Sequence, residues 1–206
     1  MTTLVLLRHG ETLLTPGRRL SGSGGSNPGL SPAGRRQARA TADALAHRGD
    51  IAAVVTSPMR RCQETAHCVA ARLGLSVRVD RDLREADFGA WEGLTFAEVR
   101  ARYPDDLSAW LASPESPPSG AGETMQQVIR RVAAVRDGLL ARYAGATVLV
   151  VSHVVPVRTL IRLALQAPPH SLFRMEAAAA SLSTVTYDED GTATVQTLND
   201  THHLNR

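Results

Sequence analysis

Near the start of the chain, Thr3-Leu4-Val5-Leu6-Leu7 runs directly into Arg8-His9-Gly10-Glu11-Thr12. Four consecutive apolar residues without alternation are what a strand needs when both faces of its sheet are covered. Ile51–Val55 and Thr147–Val151 are two further runs of the same kind. Helical patterns lie between them. Ser31-Pro32 and Ser57-Pro58 each offer a serine cap followed by proline at the first helical position. The first helix should run to about His47 and stop at Gly49, the second to about Leu73 and stop at Gly74. A third, starting near Glu123, puts Met125, Val128, Val132, Val135 and Leu139 on one face. A fourth spans about Val155–Leu165. Alternating segments at Ser183–Tyr187 and Thr192–Thr197 flank a turn at Glu189-Asp190-Gly191 and predict a hairpin at a sheet edge. Strands alternating with helices imply right-handed crossovers. The expected fold class is α/β, a three-layer α/β/α sandwich around a mainly parallel, mixed sheet.

The 206 residues carry a net charge of +3 and two cysteines, Cys62 and Cys68. Two cysteines make no disulfide framework and have no metal-ligand spacing, which points to a reducing compartment, and cytoplasmic is the expected location. No apolar run reaches the roughly 18 residues of a membrane span, and Met1–Val5 lacks the pattern of a signal peptide. Neither Ser21–Ser26 nor Ser113–Gly122, both loop-like in composition, separates two self-sufficient cores, so residues 1–206 read as one domain. The small charge excess and low aromatic content argue against a nucleic-acid partner.

In open α/β sheets, ligands bind beyond the carboxyl ends of the strands. There the three runs deliver Arg8 and His9, then Arg60 and Arg61, then Ser152 and His153. Two histidines with up to three arginines form an anion site, and the forked donors of arginine suit phosphate. Cations in the first turn of a helix oppose its macrodipole unless an anion binds there, so Arg60 or Arg61 is expected to meet one while the other faces solvent. Gly10 is expected to allow close backbone approach to that ligand. Taken singly, His9 could be a buried, backbone-bonded histidine and His153 part of a helix entry. His47 and His67 read as surface or packing residues, and the adjacent His202-His203 pair makes a poor metal site. Trp91 and Trp110 either wall the pocket or pack.

Arg8-His9-Gly10-Glu11-Thr12 resembles the signature of the histidine phosphatase superfamily, the phosphoglycerate-mutase-like enzymes. Ser57–Ala66 is similar to the family's second block, which puts its catalytic arginine on Arg61. Leu83–Gly93 resembles the third block, with its acid on Glu85. Gly122-Glu123-Thr124 matches a further block, and Val151-Ser152-His153 carries the second catalytic histidine. The blocks occur in order over essentially the whole chain. Ser152–Arg158 and Asp87–Thr95 look most like phosphatases of the α-ribazole phosphatase type, in particular the acid phosphatase domain that actinobacteria often fuse to a type I ribonuclease H domain. A covalent fusion of that kind is a possible partner in a parent protein. Thr15 stands where many members have asparagine, and Val154-Val155 where they have glycines.

The resemblance implies a phosphoglycerate-mutase-like fold and phosphoryl transfer through a phosphohistidine. His9 would be the nucleophile, and Arg8, Arg61 and His153 would clamp the phosphoryl oxygens. Glu85 would serve as general acid and then as base. Substrate contacts are expected from Arg8, Thr15, Ser21, Gly22, Arg61 and Val154, and Arg18 or Arg19 could meet a second anionic group. Glu11 and Glu92 would orient arginines or cap backbone amides. No cofactor and no metal are implied. The expected function is a metal-independent phosphomonoesterase of acid phosphatase type, acting on α-ribazole 5′-phosphate or another small phosphate ester. The alternatives are a phosphoglycerate mutase and a non-catalytic phosphate-binding module.

Overall fold

Strand β1 (Thr2–Arg8) lies inside a six-stranded sheet of order β3-β2-β4-β1-β5-β6 in the computed structural model, which describes residues 1–205. The other strands are β2 (Ile51–Thr56), β3 (Val77–Val79), β4 (Thr147–Ser152), β5 (Leu182–Tyr187) and β6 (Ala193–Asp200). β3, β2, β4 and β1 run parallel, while β5 is antiparallel to both β1 and β6. The sheet is therefore mixed and mainly parallel, with the late hairpin at one edge. Register matters for the site. Leu7 faces Val151 and Arg8 faces Ser152, so the chain continues from both strands at one level.

Each face of the sheet is buried by two helices. Leu4, Leu6, Val148 and Val150 pack against α5 (Met125–Arg142) and α6 (Val154–Ala164) through Val128, Val132 and Leu160. Val5, Leu7, Leu149 and Val151 pack against α1 (Pro32–Arg48) and α2 (Arg60–Leu73) through Leu45, Ala66 and Val69. Continuous apolar strands and three layers are one fact seen twice. Among the described residues, no helix is long and apolar enough to cross a membrane.

The caps define the helix ends. Ser31 accepts from the Gly34 amide at 3.0 Å, and Gly49 ends α1 at φ 71°. Gly74 ends α2 at φ 69°. α2, however, starts at Arg60 behind Met59, not at Pro58, and Ser57 does not cap it. Ser57 Oγ accepts the Met59 amide and meets His153 instead. α5 starts at Met125, after a reciprocal Thr124–Gln127 cap, and leaves Glu123 just outside. Two short helices, α3 (Phe96–Arg102) and α4 (Pro104–Ala112), and the three-residue β3 go beyond the expected elements.

Candidate active site

His9 leaves the end of β1 with its amide on the Ser152 carbonyl at 3.0 Å and its own carbonyl on the Ala180 amide at 3.1 Å. Its Nδ1–H donates to the Gly10 carbonyl at 2.7 Å, which fixes the tautomer and leaves Nε2 with a lone pair. Arg61 Nε donates to that Nε2 at 3.2 Å. Burial, then Arg61, then Arg8 hold the imidazole well below the ordinary histidine value, so His9 is neutral at pH 7.

Arg61 occupies the second position of α2 and is almost fully buried. Its Nη2 donates to the Ser21 carbonyl at 2.7 Å. Arg8 donates Nη1 to the Ala177 carbonyl at 2.7 Å. Beyond these bonds, Arg61 Nη1 and Arg8 Nε are buried polar atoms with no protein partner, as are Ser21 Oγ and Arg158 Nε. A buried donor left unpaired costs about 1–3 kcal/mol, so this concentration calls for an acceptor-rich ligand. Phosphoryl oxygens, which carry acceptors and no donors, fit it. Arg60 is the arginine that faces outward: it is exposed and paired with Glu64 at 2.7 Å.

Glu85 is 5% exposed and lines the same cleft. Its Oε1 accepts from the Ala86 amide at 3.0 Å and the Val155 amide at 3.3 Å. Burial raises its pKa above the usual carboxylate value, opposed by the Ala86 bond and by Arg61, Arg131 and Arg8. A carboxyl whose burial favours its protonated form thus shares the cleft with an imidazole whose burial favours its neutral form.

The cleft has a volume of about 610 Å³ and includes Arg8, His9, Thr15, Ser21, Arg61, Glu85 and Val154 in its lining. Two expected site residues, His153 and Gly22, are not in that lining. His153 is fully buried and lines no part of the cleft. Its ring packs edge-on to His9 with centroids 5.1 Å apart, and Nε2 lies 2.7 Å from Ser57 Oγ. Burial, Arg61 and His9 hold it well below the ordinary histidine value. Gly22 is outside the lining, with its amide on Glu92 at 2.9 Å, and a side chain there would run into the Ala86 carbonyl, Glu92 and Phe88. Thr15 Oγ1 accepts from the Thr12 amide at 3.0 Å and so shapes the loop it lies on.

Other residues sort by contact. Glu11 accepts from Ser31, and Glu92 from the Gly22 and Phe88 amides. Arg19 is held by Glu98 and the Gly93 carbonyl, whereas exposed Arg18 lines the cleft. Trp91 is buried against Trp110, and Trp110 lines the cleft between Phe96 and Phe173. His47 and His67 are exposed and bond within their own helices, and His203 packs on Thr41 at 3.0 Å. Gly10 differs from expectation: the space of its missing side chain faces the Gly34 backbone, not the cleft. Sequence reasoning missed Ser57, Thr65, which accepts the Gly10 amide, and Arg158 on α6. Ser57 was hidden by the serine-proline cap pattern. The i,i+4 spacing of Arg60 and Glu64 was the available signal that Arg60 is paired.

A neutral, tautomer-locked histidine beside buried arginines and a protonatable carboxyl defines a phosphoryl-transfer class of site. Residues 4–201 match the Histidine phosphatase superfamily (branch 1), and the chain belongs to that family. The chain is 50% identical over 203 residues to "Bifunctional protein Rv2228c" of Mycobacterium tuberculosis, covering 98% of this chain and 55% of the relative. It thus spans about half the length of that curated relative. Phosphoserine phosphatase 1 of Hydrogenobacter thermophilus is 33% identical over 160 residues, 78% of this chain and 74% of that one. Among solved structures, mycobacterial glucosyl-3-phosphoglycerate phosphatase Rv2419c complexed with VO3 is similar at TM-score 0.86 and 30% identity, covering 97% of this chain and 99% of that one.

Proposed function

We propose that this chain is a metal-independent phosphomonoesterase of acid phosphatase type that works through a phosphohistidine on His9. One observation carries the reading: the Nε2 lone pair of His9, met by Arg61 Nε, shares one cleft with Glu85 and with unpaired buried donors of Arg8 and Arg61. Nε2 attacks phosphorus and the P–O ester bond breaks. Glu85 gives its proton to the departing alkoxide. Water then attacks phosphorus, forming a P–O bond as the P–Nε2 bond breaks, Glu85 takes the water's proton, and phosphate leaves with His9 neutral again. Arg8 and Arg61 stabilise the oxygens throughout, supplying the charge compensation that a cation would otherwise supply. His153, hydrogen-bonded to Ser57, packs edge-on against the ring of His9, and Val154 at the start of α6 lines the cleft where its amide would meet a phosphoryl oxygen.

Similarity to a phosphoserine phosphatase and to a glucosyl-3-phosphoglycerate phosphatase supports a small phosphate ester as substrate class, with α-ribazole 5′-phosphate one candidate. The partial coverage of a relative named bifunctional supports a domain that works joined to another, the expected partner being of ribonuclease H type. The free cysteines Cys62 and Cys68 support a cytoplasmic site of action.

Phosphate release from p-nitrophenyl phosphate between pH 4 and 9 with EDTA present tests the reading. Turnover should survive EDTA and vanish in His9→Ala. Turnover unchanged in His9→Ala overturns it. Phosphate bound without turnover favours the binding module, and phosphoryl transfer to 3-phosphoglycerate in place of water favours the mutase.

A further inference from the structure

Gly122-Glu123-Thr124 is a sequence block with no residue in the cleft, and the chemistry above leaves it without a part. Its acid is nevertheless buried to the same degree as the arginine it meets. Glu123 accepts from Arg131 Nε at 2.7 Å and from Arg131 Nη2 at 2.9 Å, with the two side chains 11% and 8% exposed. Arg84 adds a weaker contact to Glu123 at 3.3 Å.

The remaining donors of Arg131 go to backbone. Nη1 donates to the carbonyls of Asp82 and Arg84, and Nη2 to the carbonyl of Glu85 at 3.3 Å. A guanidinium has five N–H groups, and here all five are used. The neighbouring carbonyls are fixed as well: Ser152 Oγ donates to Leu83 at 2.7 Å and the Glu123 amide to Asp87 at 2.9 Å. The segment that carries Glu85 lies between two three-residue 3₁₀ turns, Arg81–Leu83 and Gly89–Trp91, and belongs to no longer helix or strand. Its shape therefore depends on these outside donors, and Arg131 supplies three of them.

We propose that Arg131, clamped by Glu123, is a positioning residue for the proton donor Glu85, fixing the carbonyls of residues 82, 84 and 85 so that the carboxyl meets the leaving oxygen. The proposal rests on the reading of Glu85 as that proton donor. General acids contribute about 10²–10⁴ in rate, and a misplacement of about 1 Å costs on the order of 10²-fold. A positioning role therefore predicts a loss confined to substrates that need the proton, whereas a purely structural role lowers activity on every substrate alike.

The experiment compares kcat/KM on p-nitrophenyl phosphate, whose leaving group departs as a stable anion, with kcat/KM on an alkyl phosphate. Arg131→Lys keeps the charge and loses the fork. Glu123→Gln leaves Arg131 in place without its charged partner. Glu85→Gln is the reference. The expected result for Arg131→Lys is a loss of about 10-fold or more on the alkyl ester and less than about 3-fold on the aryl ester. Glu123→Gln should show the same split, smaller, and serves if Arg131→Lys does not fold. Equal losses on both esters, or no loss on either, overturn the proposal while a split in Glu85→Gln keeps the proton-donor reading. No split in Glu85→Gln overturns both.

Discussion

At the scale of single residues, two titratable groups are pushed in opposite directions by the same burial. His9 is held well below its ordinary value and Glu85 above its own. The first is active when neutral, above its pKa, and the second when protonated, below its pKa. Alkyl-ester kcat/KM should therefore be greatest at mildly acidic pH and fall as pH rises through the raised Glu85 value. In Glu85→Gln the rate should be lower and that falling limb absent. Measuring kcat/KM against pH for both proteins checks this, and a wild-type optimum above pH 8 contradicts it. Much of this pair was legible in the chain. His9 sits where an apolar strand ends, and Glu85 falls within a motif. Which of Arg60 and Arg61 turns inward was not legible from the helix-start pattern, since adjacent helical residues point about 100° apart. It came instead from the block resemblance, and the Arg60–Glu64 spacing carried the same signal. The bond of His153 to Ser57 was hidden, since it depends on Ser57 being taken from the cap of α2.

At the scale of elements, the loop after β1 is held by contact between two backbones. A Cβ on Gly10 would lie 2.6 Å from the Gly34 carbonyl oxygen, and one on Gly34 would overlap the Glu11 carbonyl. Backbone cannot swing aside as a side chain can, so Gly34→Ala has to move either the first turn of α1 or the loop that carries His9. We expect it to destabilise the protein by about 1–3 kcal/mol and to lower kcat on p-nitrophenyl phosphate. Urea denaturation together with turnover checks this, and a variant unchanged in both contradicts it. The long elements were readable because their burial is written into runs and caps. β3 was not: Val-Arg-Val is short, at a sheet edge and partly exposed, so it lacks a periodic signal. α3 carried a signal that went unused, Thr95 with Glu98 three residues on, which forms a reciprocal cap in the structure.

At the scale of the whole molecule, the parallel order of β2, β4 and β1 brings three distant segments to one sheet edge. A net charge of only +3 therefore coexists with a locally arginine-rich cleft, because the fold gathers Arg8, Arg61 and Arg158 at one place. The meeting of Arg8 and Arg61 follows from strand direction, which is why that much of the phosphate end was legible in the sequence, whereas Arg158 comes from within α6 and was not. The opposite wall was not legible either. Phe96, Trp110 and Phe173 come from segments outside the sheet, and only tertiary packing brings their rings within 4.9 and 6.3 Å of one another. The central claim is that phosphorus is held covalently on His9 between the two half-reactions. The direct measurement is rapid mixing with substrate, quenching into base to preserve phosphohistidine, and mapping of the phosphorylated peptide by mass spectrometry. The account predicts a phosphoryl group on His9, formed no more slowly than turnover and absent from His9→Ala. Phosphate release with His9 unmodified, or with the phosphoryl group on another residue, would contradict it.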